Sequence, residues 1–291
     1  METGECLIQV DYSEGYHNKD QDEIQSAYFG HETFSIFTAC GYFRPNDSAK
    51  LEKVPLTIVS EANDHSRIAS FTCVSKVIEC IEERLPLLTS LRRVYIWSDG
   101  CASQFRSRYV FSLLTHLHPS KDIEWNYNEA HHGKGPMDGI GGTIKNKVFQ
   151  EVKSGRIVVT SPEDFARHAG KLVESVTTLY LPSKDIMPEP ASIETAPYIK
   201  GTLEVHRVVR RKNFQRVMYT WNFFGFPQTK ILFILNTIVT TMTLLFAGTN
   251  RLMRALISVP IAFQHTDKEN SGWNVQSVSN GTVQIHVFHH N

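Results

Sequence analysis

Asp11, Asp99 and Asp138 are the residues of this chain whose type and setting best suit chemistry. Asp11 directly follows the apolar run Cys6–Val10, and Asp99 directly follows Val94–Ser98 (VYIWS). Both runs read as buried strands, the second as one covered on both faces of a sheet. Residues at the ends of neighbouring strands converge on one point. Two carboxylates meeting there repel, and need a cation or a shared proton. Hard divalent ions such as Mg²⁺ or Mn²⁺ prefer oxygen ligands and keep several waters, which leaves room for phosphate oxygens. A pair of such ions can activate an attacking oxygen and stabilise a leaving one. Asp138 reads as the third ligand, at the start of a helix packed beside the two strands. A single Asp after a strand is more often a turn or cap residue, so the reading needs all three together.

Secondary candidates surround them. Lys134 and Lys145 read as contacts to backbone phosphates, with Arg106 and Arg108 next. His132 reads as site-lining, with His131 beside it; a His pair alone is weak evidence for metal. Glu14 near Asp11 reads first as a turn carboxylate and second as an alternative ligand. Gly133, Gly135, Gly139, Gly141 and Gly142 read as a turn-rich stretch able to cradle a phosphate at a helix start. It is not a P-loop, because Thr143 follows Gly142 where a lysine is required. Gln104-Phe105 is expected to pack behind Asp99.

The elements that must position these residues read as an α/β domain. Strands are expected at Cys6–Val10, Thr33–Phe43, Val54–Glu61, Val94–Ser98 and Ile123–Asn128. A short helix is expected within Asp20–Gly30. Further helices are expected from Ser66 to about Leu88, over Ser107–Leu117 and Thr143–Lys153, and over Pro162–Ser175 with Ser161 as cap and Pro162 first in the helix. Three consecutive strands followed by strands reached through helices imply a mixed sheet flanked by helices. Residues 1–185 form this domain and 186–205 a proline-bearing linker, while 206–291 are a tail without an assigned fold. The uncharged run Ile231–Gly248 just reaches membrane-span length, although its threonines suit strands as well.

Composition narrows the classes. The formal net charge is zero, so any nucleic-acid contact has to be a local patch. Five cysteines with no CxxC pair argue against a disulfide framework or a zinc knuckle, and for reduced thiols in a nuclear or cytoplasmic setting. The first residues do not read as a signal peptide.

Several blocks resemble those of animal proteins derived from DNA transposons. Asp11–Tyr16 (DYSEGY) is similar to their DFAENY block, and Asp22–Ala27 (DEIQSA) to the block that follows it. Ser98–Ser107 is similar to SDGxxxQFKxx, and His132–Lys145 (HGKGPMDGIGGTIK) to HGKGPCDGIGGxxK. The resemblance spans about residues 8–150, with Tyr12, Gly15 and Met137 departing from the usual Phe, Asn and Cys. It implies an RNase H-like fold and DDE/DDD nuclease or strand-transferase ancestry, with Asp11, Asp99 and Asp138 as first, second and third acid. Mg²⁺ or Mn²⁺ is the expected cofactor and DNA the expected partner of an active enzyme, while the sequence leaves a homo-oligomer open. Family members carry a long region upstream of the first acid, where DNA recognition is expected; a truncated domain is the expectation here. Two other readings stand beside it. One is a catalytically inactive relic acting through binding alone. The other is a membrane-attached protein held by residues 231–248.

Overall fold

The computed structural model describes residues 1–17, 33–61, 65–87, 89–128, 136–194, 196, 198–199 and 201–212, and the backbone of strands between 217 and 287. The expected helix within Asp20–Gly30 lies outside these residues, as do His131–Gly135.

A mixed sheet organises the chain. Its strands over the first 221 residues are β1 (Glu5–His17), β2 (Thr33–Phe43), β3 (Glu52–Ser60), β4 (Arg93–Ser98), β5 (Asp122–Tyr127), β6 (Thr177–Leu181), β7 (Arg207–Arg210) and β8 (Val217–Trp221). They lie in the order β8-β7-β5-β4-β1-β2-β3-β6. β1, β2 and β3 form an antiparallel meander. β4 then joins the other side of β1 in parallel, and β5 joins β4 in parallel. Helix α1 (Arg67–Glu82) makes the crossover from β3 to β4, and α2 (Arg108–Leu113) the one from β4 to β5. Helices α3 (Pro136–Lys153) and α4 (Pro162–Leu172) follow β5, before β6 pairs in parallel with β3.

Strand alternation divides the core in two. Cys6, Ile8 and Val10 of β1, Phe37 and Ala39 of β2, and Val94 and Ile96 of β4 pack under Phe71, Val74, Ile78 and Ile81 of α1. On the opposite face, Tyr16, Phe34, Ile36, Cys40 and Val59 pack against Met137, Ile140, Ile144 and Val148 of α3 and Phe165 of α4. The helices start where serines cap them: the Ser66, Ser107 and Ser161 side chains accept from Ala69, Val110 and Asp164 backbone N–H groups. Pro162 occupies the first turn of α4, where its missing N–H costs nothing.

Four expectations need correction. Asp11 does not follow its strand: β1 continues to His17, with a register shift between Ser13 and Tyr16. β4 is not covered on both faces, since burial alternates along it and Tyr95 and Trp97 stay half-exposed. α3 begins at Pro136, so Gly139, Gly141 and Gly142 are helical rather than part of a loop. Residues 231–248 are not one helix: their described part lies in the antiparallel strands β9 (Thr229–Ile234) and β10 (Val239–Leu244). No helix among the described residues is long and apolar enough to cross a membrane. Three further strands, β11 (Met253–Ser258), β12 (Trp273–Ser279) and β13 (Thr282–Val287), extend the same edge.

The stretch expected as a linker packs on the domain. The Met187 N–H donates to Thr72 Oγ1, Arg67 pairs with Glu189, and Ile193, Ala196 and Val205 are buried. β7 then pairs antiparallel with β5. Arg210 is fully buried, and its guanidinium donates to the carbonyls of Leu114, Leu117, His118 and Pro119.

Candidate active site

Asp11 lies within β1, and Asp99 is the first residue after β4, the strand that pairs in parallel with β1. β1 and β4 run parallel in a register that pairs Leu7 with Tyr95 and Gln9 with Trp97. The pairing ends there, two residues short of each acid; Asp11 shares the strand parity of Gln9, on the face opposite α1. Asp11 sits in β1 opposite Thr38 of β2, whose hydroxyl donates to the Asp11 carbonyl at 3.1 Å. The Asp11 carboxylate accepts from the Tyr12 N–H at 2.8 Å. Asp99 begins the loop after β4, where its carboxylate accepts from the Cys101 N–H at 3.3 Å. Buried Ser98 anchors this turn: its hydroxyl donates to the Asp99 carbonyl and accepts from the Trp125 indole.

The third acid arrives on α3. Gly141 belongs to the buried stripe of that helix and lies directly on Ser13 and Thr38. A Cβ at Gly141 would fall 2.6 Å from Ser13 Oγ and 3.3 Å from Thr38 Cγ2. The missing side chain lets α3 seat on β1 two residues beyond Asp11. Asp138, one turn earlier in the same helix, comes to the same corner. It is exposed in the first helical turn, where the helix dipole favours a carboxylate.

Electrostatics record the convergence. The Asp11 carboxyl is pushed up to about 6, first by burial and then by the negative charge of Asp99, with a smaller push from Asp138; the Tyr12 N–H opposes these. Asp99 is also raised by burial, against the Cys101 N–H and the positive charge of Arg106. Asp11 therefore feels the negative charge of both other acids, and carboxylates brought together in this way call for positive charge. An all-oxygen donor set suits an ion of the Mg²⁺ or Mn²⁺ kind. Among the described residues, no three His, Cys, Asp or Glu side chains stand close enough to hold one ion together. The residues present that would hold such an ion are Asp11 and Asp99, each carboxylate accepting one backbone N–H, with Asp138 near Asp11 on α3. The neighbouring α3 positions Gly139 and Gly142 face open space.

Arg106 lies beside Asp99 in a defined seat. Its guanidinium packs on Gly100, where a Cβ would lie 3.0 Å from Cζ, and over the Tyr127 ring at 5.1 Å. One nitrogen donates to the Leu203 carbonyl at 2.8 Å. Nε and Nη2 are buried and make no hydrogen bond. Phe105 is buried behind the Asp99 loop, which the Phe105 and Arg106 N–H groups close by donating to the Cys101 carbonyl. Lys145 lies about two turns beyond Asp138 in α3 and is half-buried. Arg108 instead lies over the Tyr109 ring. His132 and Lys134 fall outside the described residues.

A model of the family described as "Domain of unknown function (DUF8701)" matches residues 1–221. The chain belongs to that family. The DUF8701 region thus contains all three acids and the sheet from β1 to β8. No curated protein and no solved structure matches the chain.

Sequence reasoning missed Ser13, Thr38 and Trp97. Ser13 and Thr38 share the α3-facing side of β1 and β2, and their small side chains are the available signal for a helix seated close. Trp97 has the same strand parity as Asp99, a signal that reading VYIWS as buried on both faces concealed.

Proposed function

We propose that this protein is a metal-dependent nuclease or polynucleotidyl transferase of the transposase and integrase kind, with an RNase H-like catalytic domain. The observation that carries the reading is the placement of Asp11 in β1 and Asp99 just past the parallel strand β4, with α3, which bears Asp138, seated on β1 through Gly141. The sheet supports it: three antiparallel strands, then two parallel to the first, put Asp11 in one strand and Asp99 just past the end of its parallel neighbour. The sequence blocks around Asp11, Asp99 and Asp138 resemble those of transposon-derived proteins and support it independently.

Under this reading, Asp11 and Asp99 are the fixed ligands of a divalent cation and Asp138 joins them from α3. The bound cation would supply Lewis-acid charge for the scissile phosphate and for the attacking and leaving oxygens. The chain's own contribution is positional. The Tyr12 and Cys101 N–H groups orient two carboxylates, and Gly141 fixes the approach of the third. The positive charge of Arg106 opposes the upward push of burial on Asp99, and Lys145 would offer positive charge to the polynucleotide backbone. Water or a 3′-hydroxyl of DNA would be the nucleophile.

The test is nicking of supercoiled DNA by the full chain with Mg²⁺ or Mn²⁺. Nicking that requires the cation and is lost in Asp99→Asn supports the reading. DNA binding without cleavage, unchanged in Asp99→Asn, overturns it in favour of an inactive relic.

A further inference from the structure

Helices α3 and α4 cover only part of their face of the sheet. The buried cluster beneath them draws on the far end of β1, on β2 and on β3, and contains no residue of β4 or β5. One row of this less covered region lies a single pleat from the acids. Its members are Gln9 of β1, Trp97 of β4 and Asn126 of β5, paired across the sheet. Trp97 and Gln9 are half-exposed, whereas Ile96 and Ser98 on the other face are fully buried. Asn126 is buried at the edge of the row, with its amide donating to Glu124 at 3.3 Å.

We infer that Trp97, with the carboxamide of Gln9 beside it, is a stacking platform for one unpaired base of the polynucleotide bound at Asp11 and Asp99. The inference rests on the function proposed above and specifies its substrate. Two residues along a strand span roughly 6.6 Å, about the distance from a phosphate to the base of its own nucleotide. An indole offers the largest π-face among side chains, and a half-exposed one can take a base on that face. The Gln9 carboxamide presents both a donor and an acceptor to a base edge. A base inside a duplex has both faces occupied by its neighbours, so the platform selects a single strand or a flipped nucleotide.

The test uses the full chain in Ca²⁺ with fluorescein-labelled oligonucleotides, read by anisotropy. One is an oligo-dT, the other an abasic strand of equal length. Wild type is expected to bind oligo-dT about tenfold more tightly, a typical value for one stacked base. Trp97→Leu, which keeps apolar bulk without a π-face, should erase that difference, and Trp97→Phe should keep most of it. A base preference that persists in Trp97→Leu overturns the inference, and leaves the catalytic reading intact if nicking still needs Asp99. Loss of the preference in Trp97→Leu without any nicking by wild type supports the platform and rejects the catalysis. Wild-type binding to neither strand, with no nicking, rejects both.

Discussion

Gly141 of α3 lies so close to Ser13 of β1 that a Cβ there would come within 2.6 Å of the Ser13 hydroxyl oxygen. This contact sets how near Asp138 comes to Asp11. Gly141→Ala should lift the start of α3 and reduce divalent-cation binding, measured by calorimetric titration, by roughly tenfold or about 1.4 kcal/mol. Gly141→Ala with Ser13→Gly should recover most of it. Gly142 is the control, since it faces open space in the same helix. Gly142→Ala should raise stability by up to about 1 kcal/mol, through helix propensity alone.

The raised Asp11 carboxyl makes stability depend on pH. Its folded value of about 6 exceeds the ordinary 3.8, so between these values the folded state holds the proton more tightly. The stabilisation from that proton is present at low pH and is lost as pH rises through about 6. Without divalent cation, the melting temperature should therefore fall between pH 4 and pH 7. Mg²⁺ or Mn²⁺ should raise it at pH 7.5 and have little effect at pH 5. Asp11→Asn should flatten both dependences, and a scanning calorimeter reads each.

Arg106 is expected to act on Asp99 rather than only on a substrate. It lowers the Asp99 carboxyl against the push of burial. Arg106→Gln should shift the acid limb of the nicking profile to higher pH. A loss of substrate affinity with an unmoved limb would instead describe a phosphate contact, and a pH–rate series separates the two.

Arg210 ties the end of the DUF8701 region to the loop after α2. Its buried guanidinium, held near 10 by desolvation, satisfies four backbone carbonyls at once. Arg210→Met leaves those acceptors without donors, at a cost of roughly 2–4 kcal/mol. Arg210→Lys, a point charge without a planar fork, should recover only part. Urea unfolding measures both.

Much of this fold was legible because local signals agreed with tertiary ones. Thr33–Phe43 is rich in β-branched and aromatic residues, and its expected bounds are those of β2. Ser161-Pro162 supplies a cap and a first-turn proline, and α4 starts there. The failures have tertiary causes. Glycines disfavour helix, yet α3 takes in Gly139, Gly141 and Gly142, and Gly141 is needed for contact with Ser13. β7 (RVVR) reads as a basic run, but Arg207 and Arg210 are held by Glu124 and by backbone carbonyls. β6 (TTLYL) carries little burial and is specified by pairing with β3. For the proposed site, the candidate acids stand out in the sequence, but the parallel pairing of β1 with β4 and the seat of α3 on β1 depend on tertiary contacts that composition does not encode.

The most direct measurement is anomalous diffraction from crystals of the full chain grown or soaked with Mn²⁺. The account predicts manganese between the Asp11 and Asp99 carboxylates, with Asp138 turned toward it from α3 and the peak absent in Asp99→Asn. Manganese bound elsewhere, or a corner without manganese at saturating concentration, would contradict it.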